Sequence, residues 1–302
     1  MAFDVDFLKI DTFSPNPQLL KEVEERGTMK TPGKIKDIVG DIILPEPSED
    51  KPYLFGCMVL SFDGKMGFDD DPEGTLISKE NRFDAKGAKL DFWMMNVCRC
   101  YADGVIMCTG TLRVRMNKLW YAQIHDEDLL TARKELGKKT DVPLSIIASI
   151  DGKDVPFTHA IFSMENAPVI ATSLAGADYI RKNINREFEI ITEPTDLLTD
   201  SDRIRIVAAG EEIADTVSIM KLLRGCGLKH ISVEAPGYIW TLIRDKVLDE
   251  YFLNYSGVMA GGNTALGTWG PATVAEHSHA ALLKVGFTEG FVFTRQKLIY
   301  NI

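Results

Sequence analysis

Short apolar runs alternate with longer amphipathic stretches over most of this chain. From Tyr53 onward the apolar runs have the length of buried strands, and the stretches between them carry apolar residues at helical spacing. The predicted strands are Tyr53–Ser61, Gly104–Cys108, Leu144–Ile150, Val169–Thr172, Ile204–Ala208 and His230–Val233. The predicted helices cover residues near 84–101, Ile213–Arg224 and Tyr238–Lys246. Strands that alternate with helices indicate an α/β fold with a mostly parallel central sheet and helices on both faces.

The last part of the chain has a different pattern. Glu250–Ser256 is followed by a strand pair around Gly290–Thr294 and Lys297–Tyr300, with no helical stretch between the last two. Consecutive strands pair most simply as antiparallel neighbours. We therefore expect an antiparallel C-terminal edge.

Residues 1–51 do not share this rhythm. Leu19 to Arg26 are spaced for a short helix ended by Gly27, but repeated prolines break the segment, and residues 45–52 resemble a linker. We predict an N-terminal extension and linker over residues 1–51, which packs on the main domain or on a partner subunit, and a single domain over residues 52–302.

Composition narrows the class of protein. Of the 302 residues, 45% are hydrophobic and 26% are charged, as in an ordinary globular protein, and the net charge of -10 argues against a nucleic-acid partner. No run approaches the roughly 20 apolar residues that span a bilayer, and no secretory signal is evident. The five cysteines are odd in number and lie mostly in apolar patterns, which favours free thiols and a cytoplasmic setting. His277 and His279 lack a partner cluster, so no metal site is predicted.

Candidate chemistry lies in the turns that follow the strands, because ligands of open α/β sheets bind beyond the carboxyl ends of the strands. Asp63 and Lys65 flank a glycine turn after the first long strand. After the second strand comes Thr109-Gly110-Thr111-Leu112-Arg113, in which glycine allows close backbone approach and arginine offers a forked donor for phosphate.

Two further turns have similar character. Glu234 leaves the strand His230–Val233 and is followed by Ala235, Pro236 and Gly237 at the start of a helix, and Gly261 and Gly262 belong to a glycine-rich loop. Taken alone, the Asp63–Lys65 turn is better explained as a solvated turn, and each of the other three is equally well explained as an ordinary helix cap or flexible loop. Nucleotide-binding glycine fingerprints, the phosphate-binding P-loop and the common hydrolase motifs are absent, so any catalysis would depend on a bound cofactor.

Taken in order, these turns resemble the C-terminal reductase domain of the bifunctional riboflavin-biosynthesis deaminase/reductase, which has the dihydrofolate reductase fold. The family motifs S-x-D-G-K, L-R-x-x-A-D-A, G-x-G-T-x-R and V-E-G-G-P, together with a late glycine run, have counterparts here. They are residues 61–65, 98–104, 108–113, 233–237 and 261–262, and the similar region covers residues 52–302.

The resemblance implies an NADPH-dependent reductase, forming a homodimer, that reduces the ribose of a phosphoribosylamino-pyrimidine. It implies that Asp63, Lys65 and Glu234 face the substrate. The residues it implies for the cofactor are Thr109, Gly110, Thr111, Arg113, Ala235, Pro236, Gly237, Gly261 and Gly262, with Thr172 and Ser173 at the adenosine 2′-phosphate.

The sequence departs from the family at informative places. Residues 114–117 replace an acidic run that is expected to help hold the substrate, Ala235 and Pro236 replace two glycines, and the deaminase zinc motifs are missing. A reductase for another small heterocycle or carbonyl compound, or a non-catalytic nucleotide-binding module, therefore stand as alternatives.

Overall fold

One mixed sheet of eleven strands runs through the part of the chain that the structure, a computed structural model, describes: residues 9–268 and 270–300. The strands are β1 (Thr12–Phe13), β2 (Tyr53–Ser61), β3 (Gly104–Cys108), β4 (Leu144–Ala148), β5 (Val169–Thr172), β6 (Phe188–Ile191), β7 (Ile204–Ala208), β8 (His230–Val233), β9 (Glu250–Ser256), β10 (His279–Phe287) and β11 (Phe291–Ile299). The helices are α1 (Pro17–Glu24), α2 (Gly33–Val39), α3 (Leu76–Lys79), α4 (Ala85–Tyr101), α5 (Thr109–Val114), α6 (Glu127–Glu135), α7 (Leu174–Asn183), α8 (Thr216–Gly225) and α9 (Pro236–Arg244), with a 3₁₀ turn at Ala160–Ser163.

The strand order is β1-β10-β11-β9-β2-β8-β3-β4-β5-β7-β6. From β9 to β6 every neighbouring pair is parallel, whereas β9, β11, β10 and β1 pair antiparallel. The predicted α/β fold, mostly parallel with an antiparallel edge, is confirmed.

The central strands are buried on both faces, which explains their continuous apolar sequences. Successive residues of β2 point to opposite sides, so that Phe55 joins the core beneath α4 while Leu54 joins the core beneath α8 and α9. The two layers of helices thus each cover one face of the sheet. None of the described helices combines the length and the apolar character needed to cross a membrane.

The prediction of two strands at Gly290–Thr294 and Lys297–Tyr300 is wrong. Both belong to the single strand β11, whose antiparallel neighbour β10 was not predicted. The polar residue Arg295 interrupts the apolar pattern, but it lies inside the sheet because its Nε donates to Glu250 Oε2 at 2.7 Å. The buried ion pair therefore allows β11 to continue through Arg295, where the hydropathy pattern predicts a break between two strands.

The described part of the N-terminal segment packs on the main sheet. Strand β1 pairs with β10, and Ile35, Ile38 and Leu44 are buried in the same core as α4. The Tyr101 hydroxyl donates to the Ile42 carbonyl at 2.8 Å. The boundary between residues 51 and 52 remains a prediction.

Candidate functional site

A cavity of about 930 Å³ opens where β2, β3 and β8 end, on the face of the sheet covered by α4. Its walls come from α4, from α5 and from the loops around residues 66–75 and 119–125. The carboxyl ends of parallel strands are where this class of fold binds ligands. Among the residues predicted from sequence, those that line the cavity are Gly110, Thr111, Glu234, Pro236 and Gly237.

A buried ion pair lies in the wall of this cavity. Arg99 on α4 donates to both carboxylate oxygens of Glu234, with Nε–Oε1 and Nη2–Oε2 distances of 2.7 Å each. Its Nη1 donates to the Gln123 carbonyl at 2.7 Å, and its guanidinium lies 5.7 Å from the centroid of the Trp120 ring. Burial lowers the pKa of Arg99, but the Glu234 carboxylate outweighs burial and raises it overall. The Glu234 carboxylate is thus held in one orientation at the cavity surface.

The face of α4 that carries Arg99 also carries a buried carboxyl group, that of Asp91. The helix begins after Asp84, which caps it by accepting from Gly87 N at 2.7 Å. Both Asp91 and Arg99 line the cavity, although neither was predicted from the sequence to have a role there. A signal for both was present, since each is a charged residue on the inward face of a predicted amphipathic helix.

In the turn after β3, some residues line the cavity and others do not. Helix α5 begins directly at Thr109, so Gly110 and Thr111 lie in its first turn and line the cavity. Thr109 and Arg113 do not line it: the Thr109 hydroxyl donates to Asp154, and Arg113 Nη2 lies 3.6 Å from Asp154 Oδ2. These two side chains meet at one carboxylate outside the cavity.

The turn after β8 is shorter than predicted, because α9 begins at Pro236 rather than at Tyr238. Proline suits the first helical position, where its missing N–H costs no hydrogen bond. Ala235 is fully buried before this helix, whereas Pro236 and Gly237 line the cavity. The beginning of α9 therefore points toward the same space as the beginning of α5.

Asp63 joins two loops at the rim of the cavity. Its carboxylate accepts from the Ser61 hydroxyl at 2.5 Å and from the backbone N–H groups of Ala260 and Gly261 at 3.0 and 2.7 Å. The hydrogen bond from Ser61, followed by those from the two backbone groups, lowers the pKa of Asp63 to about 2. Lys65 forms an antiparallel bridge with Ala265. Neither Asp63 nor Lys65 lines the cavity.

The glycine run belongs to this rim as well. Gly261 and Gly262 have φ values of 65° and 71°, which favour glycine. A Cβ at Gly262 would lie 2.4 Å from Asp69 Oδ2, so the close approach of Asp69 requires a glycine there. Gly261 and Gly262 shape the loop, and its residue Thr264 reaches the cavity.

Thr172 and Ser173 lie elsewhere, at the end of β5. Both are fully buried. Ser173 caps α7, since its hydroxyl accepts from Gly176 N at 2.9 Å and donates to the Glu212 carbonyl at 3.0 Å. The Thr172 hydroxyl has no hydrogen-bond partner within the described residues. Neither side chain reaches the cavity.

The cavity lining has a surplus of basic side chains although the chain as a whole is acidic. The charged lining residues are Lys79, Arg82, Lys89, Arg99 and Arg115 against Glu73, Asp91 and Glu234. Arg115, which stands in the segment that departs from the riboflavin family, donates to Glu73 Oε1 at 2.7 Å. Such a lining attracts an anionic ligand.

The sheet order, the antiparallel edge and the cavity at the ends of β2, β3 and β8 define a fold of the dihydrofolate reductase type, as found in riboflavin-pathway pyrimidine reductases. A pyrimidine reductase-like protein from Corynebacterium diphtheriae aligns with a TM-score of 0.58 at 14% identity, over 83% of this chain and 94% of the other. The deaminase/5-amino-6-(5-phosphoribosylamino)uracil reductase of Thermotoga maritima aligns with a TM-score of 0.57 at 13% identity, over 83% of this chain and 58% of the other.

RibD of Acinetobacter baumannii aligns with a TM-score of 0.54 at 14% identity, over 83% of this chain and 59% of that protein. The chain thus spans somewhat over half of each of these two longer proteins. No protein-family model matches the sequence, and no curated protein matches it either. The predicted resemblance is confirmed at the level of the fold.

Proposed function

We propose that this protein is an NADPH-dependent reductase of a small anionic heterocycle, with 5-amino-6-(5-phosphoribosylamino)uracil as the first substrate to test. The observation that carries the proposal is the 930 Å³ cavity at the strand ends, with its basic surplus and its oriented Glu234 carboxylate. The fold shared with pyrimidine reductase-like proteins supports the same class of reaction.

The residues at two helix beginnings fit a dinucleotide. A Cβ at Gly110 would meet nothing closer than Cys108 Sγ at 3.7 Å, so the backbone there is open to an approaching phosphate. Pro236 and Gly237 begin α9, whose free N–H groups and positive dipole end favour an anion. Gly110, Thr111, Pro236 and Gly237 would hold the cofactor, and reduced nicotinamide supplies a hydride when bound.

The chain's own residues would position the substrate. Arg99 fixes Glu234 so that its carboxylate can accept hydrogen bonds from N–H or O–H groups of a heterocycle, and the basic side chains of the lining would bind a substrate phosphate. Asp63 and Lys65 would act on the substrate only from the rim.

The decisive experiment is a titration of the purified protein with NADPH and NADH, followed by the absorbance of the reduced cofactor with the pyrimidine substrate present. We expect saturable NADPH binding and substrate-dependent oxidation. An absence of NADPH binding at near-millimolar concentration would refute the cofactor assignment, and binding without oxidation would point to a nucleotide-binding module.

A second candidate is a reductase of the same fold for another heterocycle or carbonyl compound. Arg115 favours it, because a cationic side chain lines the cavity in a segment where the riboflavin family carries acids. Oxidation of NADPH with other phosphorylated heterocycles, but not with the uracil compound, would establish this candidate.

We also propose a homodimer, formed through the antiparallel edge of the sheet. Phe13 of β1 and Phe287 of β10 stack there at a centroid distance of 6.1 Å while remaining 54% and 53% exposed. Exposed aromatic pairs at a sheet edge are typical of interfaces. Light scattering should give the mass of a dimer, and Phe287→Lys should shift it toward the monomer.

A further inference from the structure

Asp91 is a carboxyl group enclosed in the cavity wall. It lies on α4 eight residues before Arg99, about 12 Å away along the helix axis at 1.5 Å per residue. Its exposed fraction is 9%, yet it belongs to the cavity lining. The same helix face thus presents two different acid–base environments to one ligand: the ion pair of Arg99 with Glu234, and a carboxyl group without a basic partner in the described residues.

The groups around Asp91 come from three elements. Asn254 of β9 donates from Nδ2 to Asp91 Oδ1 at 2.8 Å, and the Ser78 hydroxyl of α3 interacts with the same carboxyl. Cys57 of β2 is a titratable neighbour: its pKa is raised chiefly by Cys98 and by burial, with smaller contributions from Glu234 and Asp91. Asn254 and Ser78 are both buried. Asn254 orients the carboxyl by donating to it and Ser78 lies beside it, but neither supplies the positive charge that would keep the carboxyl ionised.

Burial outweighs the lowering effects of Asn254 and Ser78 and raises the pKa of Asp91 to about 6. A carboxylic acid poised near neutral pH in an enclosed site is suited to general acid catalysis. Because Asp91 lines a cavity rather than a closed core, its proton can be transferred to a ligand bound in that cavity.

We propose that Asp91 is the proton donor of the reduction, an inference that rests on the proposed function. Hydride from the reduced nicotinamide adds to C1′ of the ribosylamino group, and the C1′–O4′ bond breaks with its electron pair going to O4′. The Asp91 proton is transferred to O4′, which becomes a hydroxyl, and Asp91 is left as a carboxylate. The nicotinamide is oxidised, the ribose is reduced to the ribityl form, and solvent reprotonates Asp91 after release.

The test compares Asp91→Asn with Asp91→Glu. Asparagine keeps the shape and the contact site of Asn254 but carries no acidic proton, whereas glutamate keeps the acid. Asp178→Asn, the same substitution on the exposed side of α7, serves as the control. Single-turnover hydride transfer, the KM for the pyrimidine and the NADPH dissociation constant are measured for each variant between pH 5 and 9.

We expect Asp91→Asn to slow hydride transfer by about 10²- to 10⁴-fold, the usual range for a lost general acid. The KM and the NADPH affinity should change less than threefold, and Asp91→Glu should recover part of the rate. The wild-type rate should fall as the pH rises through about 6, and this limb should disappear in Asp91→Asn. An Asp91→Asn rate within threefold of wild type would overturn the proposal, as would a large rise in KM at unchanged kcat.

A second measurement separates this proposal from the proposed function. Aspartate carboxyl ¹³C spectra of wild type and Asp91→Asn identify the Asp91 signal by difference, whatever the substrate. If the wild type fails to oxidise NADPH with the uracil compound, the proposed function fails, and this signal decides the role of Asp91. A titration near pH 6 supports a neutral acid for another substrate, and one at the ordinary aspartate value overturns the assignment.

Discussion

Two stretches of the same sheet edge differ sharply. At the ends of β2, β3 and β8 the edge opens into the cavity, and backbone at Gly110 faces free space. At the ends of β4 and β5 the edge is closed: a Cβ at Gly152 would lie 2.6 Å from the Gly176 carbonyl oxygen. The polar side chains there form hydrogen bonds within their own turns; for example, Ser149 Oγ accepts from Gly152 N at 2.9 Å.

The charges differ in the same way. Basic side chains predominate in the cavity, whereas acidic side chains predominate in the closed stretch: Asp151 and Asp154 outnumber Lys153 after β4, and Glu211 and Glu212 follow the adjoining strand β7. Strand-end turns of similar composition therefore differ in their capacity to bind a ligand. A turn can receive a ligand only where its donors are not already used by the neighbouring loop.

The largest expected effect is at the ion pair in the cavity wall. Arg99→Met leaves the Glu234 carboxylate without its guanidinium partner in a site where its side chain is only 10% exposed. Breaking a buried pair in this way costs about 3–5 kcal/mol, which chemical denaturation would measure. Replacing both residues, in Arg99→Met/Glu234→Met, should recover much of that loss.

The control is Arg82→Met, which removes a lining arginine paired with Glu80 while 87% exposed. Surface pairs contribute about 0–1 kcal/mol, so this variant should stay close to wild type. Equal losses for the two variants would mean that the Arg99 pair is no more important to stability than a surface contact.

The next effect concerns pH. An acid whose pKa is higher in the folded protein than in the unfolded chain stabilises the fold while it is protonated, and this stability is lost as the pH rises through the folded value. For Asp91 the window runs from the ordinary 3.8 to about 6. Asp91→Asn should therefore be more stable than wild type at pH 8, by at most about 3 kcal/mol, and this advantage should shrink to less than about 1 kcal/mol at pH 4.

For Asp84→Asn we expect the stability difference from wild type to have the opposite sign. Burial raises the pKa of Asp84, but hydrogen bonds from Thr288 and from the N–H groups of Gly87 and Gly290 lower it overall. This variant should be less stable than wild type at pH 8, and the deficit should shrink as the pH falls. Parallel curves for both variants would contradict the assigned pKa directions.

The sheet was largely predictable because its central strands are buried on both faces. Runs such as Gly104–Cys108 and Val169–Thr172 have the predicted bounds, since every side chain in them was required to be apolar or small. Strand β11 was misread because Arg295 is buried through partners that are distant in sequence. A hydropathy pattern contains no information about Glu250 pairing with it.

The site was predictable only where backbone requirements leave a local mark. Gly110, Pro236 and Gly237 were found because turns between strands and helices use these residue types. Asp91 was missed because its environment depends on Asn254, which lies 163 residues away in the chain. The placement of Asp63, Lys65, Thr109 and Arg113 outside the cavity also depends on loops distant in sequence, and their predicted roles remain predictions.

Two glycines test the contrast between the open and the closed stretch. In Gly176→Ala the new methyl group would lie 2.3 Å from Thr172 Oγ1 and 2.8 Å from the Asp151 carbonyl carbon, and such overpacking costs about 1–3 kcal/mol. Gly110→Ala should leave stability unchanged or raise it by less than about 1 kcal/mol, because its surroundings are open and alanine favours the helix. If the backbone at Gly110 contacts NADPH, calorimetry should show weaker NADPH binding for Gly110→Ala but not for Gly176→Ala.

The smallest effect is expected at Thr172, whose buried hydroxyl has no partner in the described residues. Thr172→Val keeps the shape and removes an unsatisfied polar group, so thermal unfolding should show a gain of roughly 0–1 kcal/mol. Because the side chain is fully buried, the affinities for NADPH and NADH should not change. A selective loss of NADPH affinity would instead show that this edge opens to receive the 2′-phosphate, which would restore the sequence-based prediction and remove the distinction between the two stretches.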